Sequence, residues 1–385
     1  MHQRVFGRGG RVGVVLGCVA AASLFAATAA GAAASVNVAC GDSAGLVAAV
    51  NTVNAAGGGS INLAAGCTYS LTTRNNPAMG GNGLPVVVTP ITINGKNATI
   101  AGNSTNFRII EIDGTSGGAL TLNGVTITGG HVSGPMAAGS GGGVLNFSGT
   151  LTLNSAVVTH NFASDTGGGI ANGFGATATL NKSEVSWNSV PDTGSGGGGI
   201  LGRASSVTLN DSIVDHNTGP GGGGIASGNG NGGGPGSSIT LNKSVISDNT
   251  ATSPAAGGGG ISNGGTLVSN NSQIIGNTAP GAAGAGLLNH VTATLNKTVV
   301  SGNSAPGGLG GGIANAIFFA GQPTPTLVLN NSQVTGNSAA AGGGILNISF
   351  DPTVSAGTVT LTHSDVSGNT PDNCEPPGSI SGCAG

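Results

Sequence analysis

Charge is what this sequence has least of. Only 6% of its 385 residues are Asp, Glu, Lys or Arg, and only 3% are aromatic, with one Trp and one Tyr. Disorder normally couples high charge to low hydrophobicity, and here 38% of residues are hydrophobic. No basic cluster is available to neutralise phosphates, which argues against a nucleic-acid partner. Cys/His spacings that hold metals, Ser-His-Asp arrangements and dense acidic sites are missing, so no metal and no cofactor is expected. The Gly-rich runs do not lead into Lys-Ser/Thr and a helix, as a phosphate-binding loop requires. What is abundant is Gly, with 77 residues.

The N-terminal 34 residues read as a signal peptide. Arg4, Arg8 and Arg11 precede an apolar run from Val12 to Ala30, and Ala32-Ala33-Ala34 before Ser35 suits cleavage. The run is Ala-rich and short for a membrane span, so no transmembrane segment is expected once the signal is removed. Export places the protein outside the cell or on its surface. Cleavage removes Cys18 and leaves Cys40, Cys67, Cys374 and Cys383. Among three possible connectivities the local one is expected, Cys40–Cys67 and Cys374–Cys383, each worth about 3 kcal/mol.

From Gly141 onward a phrase repeats: three glycines and an apolar residue, an insertion, then Thr-x-Thr-Leu-Asn-x-Ser-x-x-Val-Ser-x-Asn or a variant. The apolar residue falls at Val144, Ile170, Ile200, Ile225, Ile261, Leu287, Ile313 and Ile345, at spacings of 26, 30, 25, 36, 26, 26 and 32 residues. A unit of that size cannot bury its own core and must stack on its neighbours. Period-two alternation within each unit marks three short strands. These features predict an all-β fold, a single-stranded, right-handed parallel β-helix of about ten coils. Its expected boundaries are an N-terminal cap over 35–84, coils over 85–370 and a C-terminal cap over 371–385. Leu46, Val50 and Val53 at helical spacing predict a short capping helix, with Ser43 as its N-cap and Gly57 as its stop.

Two Asn columns accompany the repeat. One runs Asn123, Asn154, Asn181, Asn210, Asn242, Asn270, Asn296 and Asn330, with Thr362 in the last coil. The other runs Asn161, Asn188, Asn217, Asn249, Asn277, Asn303, Asn337 and Asn369. Asn tolerates left-handed backbone at a sharp corner, and its amide can bond to the coils on either side. The phrase resembles the repeats of polymorphic outer-membrane proteins, in which Gly-Gly-Ala-Ile/Leu/Val accompanies Phe-x-x-Asn. Here the counterparts are Gly-Gly-Gly-Ile and Val158–Asn161, Val185–Asn188 or Ile246–Asn249. The resemblance covers roughly residues 85–370 and implies a cell-surface adhesion role. Members of that family usually end in a membrane β-barrel, and no segment after Asn369 fits one.

One stripe carries side chains suited to a ligand. The position before the closing Asn reads His160, Trp187, His216 and Asp248 in successive coils, then Gly276, Gly302, Gly336 and Gly368, with Glu184 and Asp215 beside it. Trp offers a flat apolar face and its neighbours offer hydrogen bonds, a combination that grips sugars. A polysaccharide or cell-surface glycan is therefore the expected partner, and a structural or adhesion protein without catalysis the expected function. No catalytic residue is assigned. The alternative is a polysaccharide lyase or glycoside hydrolase of the pectin-lyase-like class, which needs paired carboxylates or Ca²⁺-binding acids. A third possibility is ice binding through Thr-x-Thr rows such as Thr150/Thr152 and Thr177/Thr179, although Thr is also a common exposed strand residue. Lys182, Asp211 and Lys243 read as charge pairing between coils.

Overall fold

Alternation dictates the coil. Between Thr177 and Val185, Ala178, Leu180 and Val185 are buried, while Thr177, Thr179 and Glu184 turn outward. The chain is a parallel β-solenoid of about ten turns, described here from a computed structural model over residues 33–103, 106–228 and 236–383. Residues 1–32 of the expected signal peptide lie outside the described residues. In eight coils, from Val144 to Ile345, the first strand begins at the apolar residue after the glycines, and Ile110 and Cys374 open the first strands at either end. Ten such strands stack in chain order from Ile110–Asp113 to Cys374–Glu375 as one parallel sheet. Second strands such as Thr177–Asn181 and third strands such as Glu184–Ser186 also pair in parallel, each with its counterparts in the coils before and after. Equivalent residues stay in register, Ala178 beside Leu151 and Val207, Leu180 beside Leu153 and Leu209. The inward side chains form one apolar column from Val38 to Ile380.

The N-terminal strands β1 (Ala34–Val38), β2 (Gly59–Leu63), β3 (Thr68–Leu71) and β4 (Pro90–Gly102) join the same stack. The helix α1 (Ser43–Ala55) packs on them and buries Leu46, Ala49, Val50 and Val53. Its N-cap is Asp42 rather than Ser43: the Asp42 carboxylate accepts the Gly45 N–H at 2.7 Å, the stronger, charged acceptor at a helix start. Gly57, at φ +80°, ends the helix as expected. Both local disulfides form, Cys40–Cys67 with Cα atoms 5.4 Å apart and Cys374–Cys383 at 6.3 Å. Among the described residues, no helix is long and apolar enough to cross a membrane.

Both Asn columns are ladders, but the column residues themselves do not supply the left-handed backbone. That conformation belongs to a neighbour: Lys182, Asp211, Lys243 and Asn271 follow the first column, and His160, Trp187, His216 and Asp248 precede the second. The sharp turn at the neighbour leaves the Asn side chain free to point along the stack. In the buried second column, Asn217 donates through Nδ2 to the Val185 carbonyl at 2.8 Å and to Asn249 Oδ1 at 3.0 Å. Its Oδ1 accepts both the backbone N–H and the amide of Asn188. The glycines before each apolar residue make room for this ladder. A Cβ on Gly224 would stand 2.9 Å from Asn249 Nδ2 and 2.7 Å from the Gly260 carbonyl. A third buried ladder, unforeseen, links Asn263, Asn289, Asn315 and Asn347 at 2.8 to 2.9 Å. Lys182, Asp211 and Lys243 do not pair: the ion pairs among the described residues are Arg108–Glu111 and His216–Asp215.

Candidate functional site

The expected stripe assembles at an exposed corner. His160, Trp187, His216 and Asp248 all adopt φ between 52° and 56°, although bulky side chains avoid that region. Trp187 is 54% exposed, which places it outside the core. Its ring stacks on His216 at 4.3 Å and 17°, and more loosely on His160 at 6.1 Å and 12°. One flat face is therefore covered by imidazole, and the ring presents chiefly its edge to solvent. His216 Nδ1 lies 2.9 Å from Asp215 Oδ2, and Ser186 donates to Glu184 at 2.6 Å. Burial raises the Asp215 pKa, opposed by the His216 hydrogen bond and reinforced by the charges of Glu184 and Asp248. The other carboxylate oxygen of Asp215 is shielded from water and has no hydrogen-bond partner.

A second and larger feature lies on the outer side of the first strands. A bare coil would alternate Ile inward and a polar residue outward. Instead the outward positions carry Leu145, Ala171, Leu201, Ala226 and Leu288, all buried. Segments that lengthen particular coils fold over this face, and between them lie three cavities. The first, about 270 Å³, is bounded by Met136, Phe147, Phe174, Asp165 and Arg203. The second, about 340 Å³, adds Asp192, Ser195 and Pro220, and has Arg203 in common with the first. The third, about 180 Å³, has Ala255, Ala256 and Ser262 in common with the second and ends at His290, Phe318, Phe319 and Gln322. Shared walls make these one groove along the stack. It crosses the first strands from Val144–Phe147 to Leu287–Asn289, and at 4.8 Å per coil that is roughly 24 Å.

Aromatic rings stand at both ends of the groove and polar groups at its centre. Phe147 and Phe174 are 5.2 Å apart at one end, and Phe318 and Phe350 are 5.0 Å apart at the other. At the centre Arg203 forms no ion pair, and its Nε is shielded without a hydrogen-bond partner. Asp165 accepts from Ser195 at 3.0 Å, and Asp192 accepts from Thr252. The near rim is fixed from within by Arg108, which is wholly buried. Its guanidinium holds the carbonyls of Met79, Ala137 and Ser140 together with Glu111 Oε2 and Asn82 Oδ1. Burial lowers the Arg108 pKa to about 10 and raises that of Glu111, the cost of keeping this clasp dry.

Of these groove residues none was singled out in the sequence. The available signal was the apolar pair opening most coils (Val144-Leu145, Ile200-Leu201, Leu287-Leu288), which breaks the polar-out alternation of a half-buried strand. The Thr rows lie in register on the outer face of the second strands, Thr177 beside Thr150 and Thr179 beside Thr152. Among the described residues no cluster of His, Cys, Asp and Glu could hold a metal ion. The fold thus defines the class, a parallel β-solenoid with a longitudinal groove. Comparison with known proteins found no matching family model, no matching curated protein and no matching solved structure. The likeness to polymorphic outer-membrane repeats accordingly rests on its short motifs alone.

Proposed function

We propose that this chain is an exported, non-catalytic, right-handed β-solenoid of the cell surface that binds a linear, largely neutral polysaccharide along the groove. The observation that carries this reading is the gathering of the coil-lengthening segments on one face, where they wall three connected cavities. Insertions in a repeat array commonly build its binding face. Rings that can cover sugar faces stand at its two ends, and Ser, Asp and Arg side chains suited to hydroxyl groups lie between them. Two disulfides and the N-terminal apolar segment support export. The test is retention on immobilised neutral glucans, mannans, xylans and N-acetylhexosamine polymers. Wild-type protein should be retained by at least one, and Phe174→Ala should lower affinity about tenfold, the worth of one buried ring contact. Absence of retention on every polymer, or an unaffected Phe174→Ala variant, would overturn the reading.

Two further readings have an observation each. Asp165 and Asp192 line the groove near Arg203, which favours a lyase or hydrolase as the alternative. New reducing ends or unsaturated products, lost in Asp165→Asn, would establish it. The Trp187 corner is proposed as a second glycan contact, because left-handed Trp is a cost that Gly avoids in the later coils, and Asp215 beside it holds a shielded carboxylate oxygen without a partner. Trp187→Gly should keep the fold and weaken retention; unchanged retention would remove that contact. Ice binding would use the Thr rows and leave the groove without a role.

A further inference from the structure

The far end of the groove contains an unmatched donor and an unmatched acceptor in one small cavity. His290 is only 6% exposed, and its Nδ1 has no hydrogen-bond partner. Burial lowers its pKa to about 4, against a smaller opposing pull from the Ala316 backbone, so the imidazole is neutral at physiological pH. With the other nitrogen carrying the proton, Nδ1 presents a lone pair. Gln322 is the complement. Its Oε1 accepts the backbone N–H groups of Phe318 and Phe319, at 2.5 and 3.2 Å. That fixes which end of the amide faces the chain, and leaves Nε2 as a shielded donor with no partner. Both residues line the cavity of about 180 Å³, whose other walls include Leu288, Phe318, Phe319 and Ala255.

Buried polar atoms without partners are costly, about 1–3 kcal/mol each, and a pair of opposite sense in one apolar cavity specifies a complementary ligand group. That group must donate one hydrogen bond, accept another and bring an apolar end. We propose that this cavity receives the acetamido group of an N-acetylated hexosamine, its N–H donating to His290 Nδ1, its carbonyl accepting from Gln322 Nε2, and its methyl resting among Leu288, Phe318 and Ala255. The assignment rests on the groove being a polysaccharide site and narrows it to polymers containing N-acetylhexosamine.

The experiment compares two hexasaccharides with the same backbone, the β-1,4-linked N-acetylglucosamine hexamer and cellohexaose, which carries hydroxyl groups in place of acetamido groups. Titration calorimetry on the mature protein should show the N-acetylated hexamer bound about tenfold tighter, the net worth of about one hydrogen bond that cellohexaose does not make. Gln322→Glu keeps the oxygen that closes the loop and removes the donor. It should bring the two affinities within about twofold of each other. His290→Phe keeps the ring volume, removes the acceptor and should act the same way, with the melting temperature of both variants recorded as a check on folding. Equal wild-type affinities, or a preference that survives in both folded variants, would overturn the acetamido assignment and leave the groove reading standing. Binding of neither hexamer by the wild type would overturn this assignment, and with failed retention on every polymer the groove reading too.

Discussion

Removing one rung of the buried ladder gives the sharpest test of how the solenoid is held together. Asn249 is wholly buried; its Nδ2 donates to the Val214 carbonyl at 2.9 Å and to Asn277 Oδ1 at 3.0 Å. Its Oδ1 accepts the backbone N–H and the amide of Asn217, both at 3.0 Å. Truncation to Ala spares the Asn249 backbone bond to Asn277 Oδ1. The Asn217 amide likewise keeps the Val185 and Asp215 carbonyls. What is lost outright is the partner of the Asn217 N–H, with a bond to the Val214 carbonyl, in a place water does not reach. An orphaned buried group costs about 1–3 kcal/mol and a lost net hydrogen bond about 1 kcal/mol, so Asn249→Ala should cost about 3 kcal/mol. The control lies in the same coil. Asn242 is half-buried, donates once to Asn210 at 2.9 Å and accepts once from Asn270 at 3.0 Å, with no backbone partner. Water can replace both bonds, and Asn242→Ala should cost under about 1 kcal/mol. Urea denaturation at constant slope measures both. Equal losses, or a larger loss at Asn242, would refute the argument that backbone partners and burial make the second ladder the structural one.

Three other outcomes follow from the same geometry. Alkylation of the unreduced mature protein should find no free thiol, and peptide mapping should join Cys40 to Cys67 and Cys374 to Cys383; a bridge between the two ends would contradict the solenoid. Arg108→Met strands Glu111 and several carbonyls, so it should cost about 3–5 kcal/mol and open residues 76–82 and 136–140 to proteolysis; a protease-resistant, equally stable variant would show the clasp to be dispensable. The His290 pKa is depressed from 6.5 to about 4, so the unfolded chain binds the extra proton first. Stability should therefore be fully present above about pH 6.5 and fall by up to roughly 3 kcal/mol towards pH 4, and His290→Phe should flatten that part of the profile. A variant whose acid profile matches the wild type would place the titration elsewhere.

The fold was legible because a stacked coil repeats its constraints. Most turns need an apolar residue after the glycines, two apolar residues two apart in the second strand, and Asn at the corners, and the same demand recurring through the stack is readable from one sequence. The mistaken detail concerned the corner. Asn was credited with left-handed backbone because it tolerates that region, whereas the residue beside it adopts it and Asn supplies hydrogen bonds. The Gly residues at 276, 302, 336 and 368 were the available clue, since a position that accepts Gly in four coils is one where a Cβ is costly. The same clue changes the meaning of the stripe. With Gly as the unstrained occupant, the φ values mark His160, Trp187, His216 and Asp248 as the residues that carry a conformational penalty.

The groove was illegible for a different physical reason: it is built from the parts of the chain that break the repeat. Insertions differ in length and composition from coil to coil, so no column aligns Met136, Asp192, Phe319 or Gln322, and nothing in the sequence says that their segments emerge on one face. That convergence is a consequence of stacking. Each segment leaves its coil beside the first strand, and in-register pairing then places the segments of coils up to seven apart over one continuous strip. The strip itself left a trace, because Leu145, Leu201 and Leu288 occupy positions that would face water without a cover. An outward apolar residue in a strand therefore does two jobs, as floor of the groove and as the seat that holds its walls. Stability resides in the repeating body, whose Asn ladders and apolar column do not depend on the walls. Recognition is left to segments that can change length without disturbing register, since loop entropy grows only slowly with loop length. That division is why Asn249 should govern stability and Gln322 should govern which sugar is held.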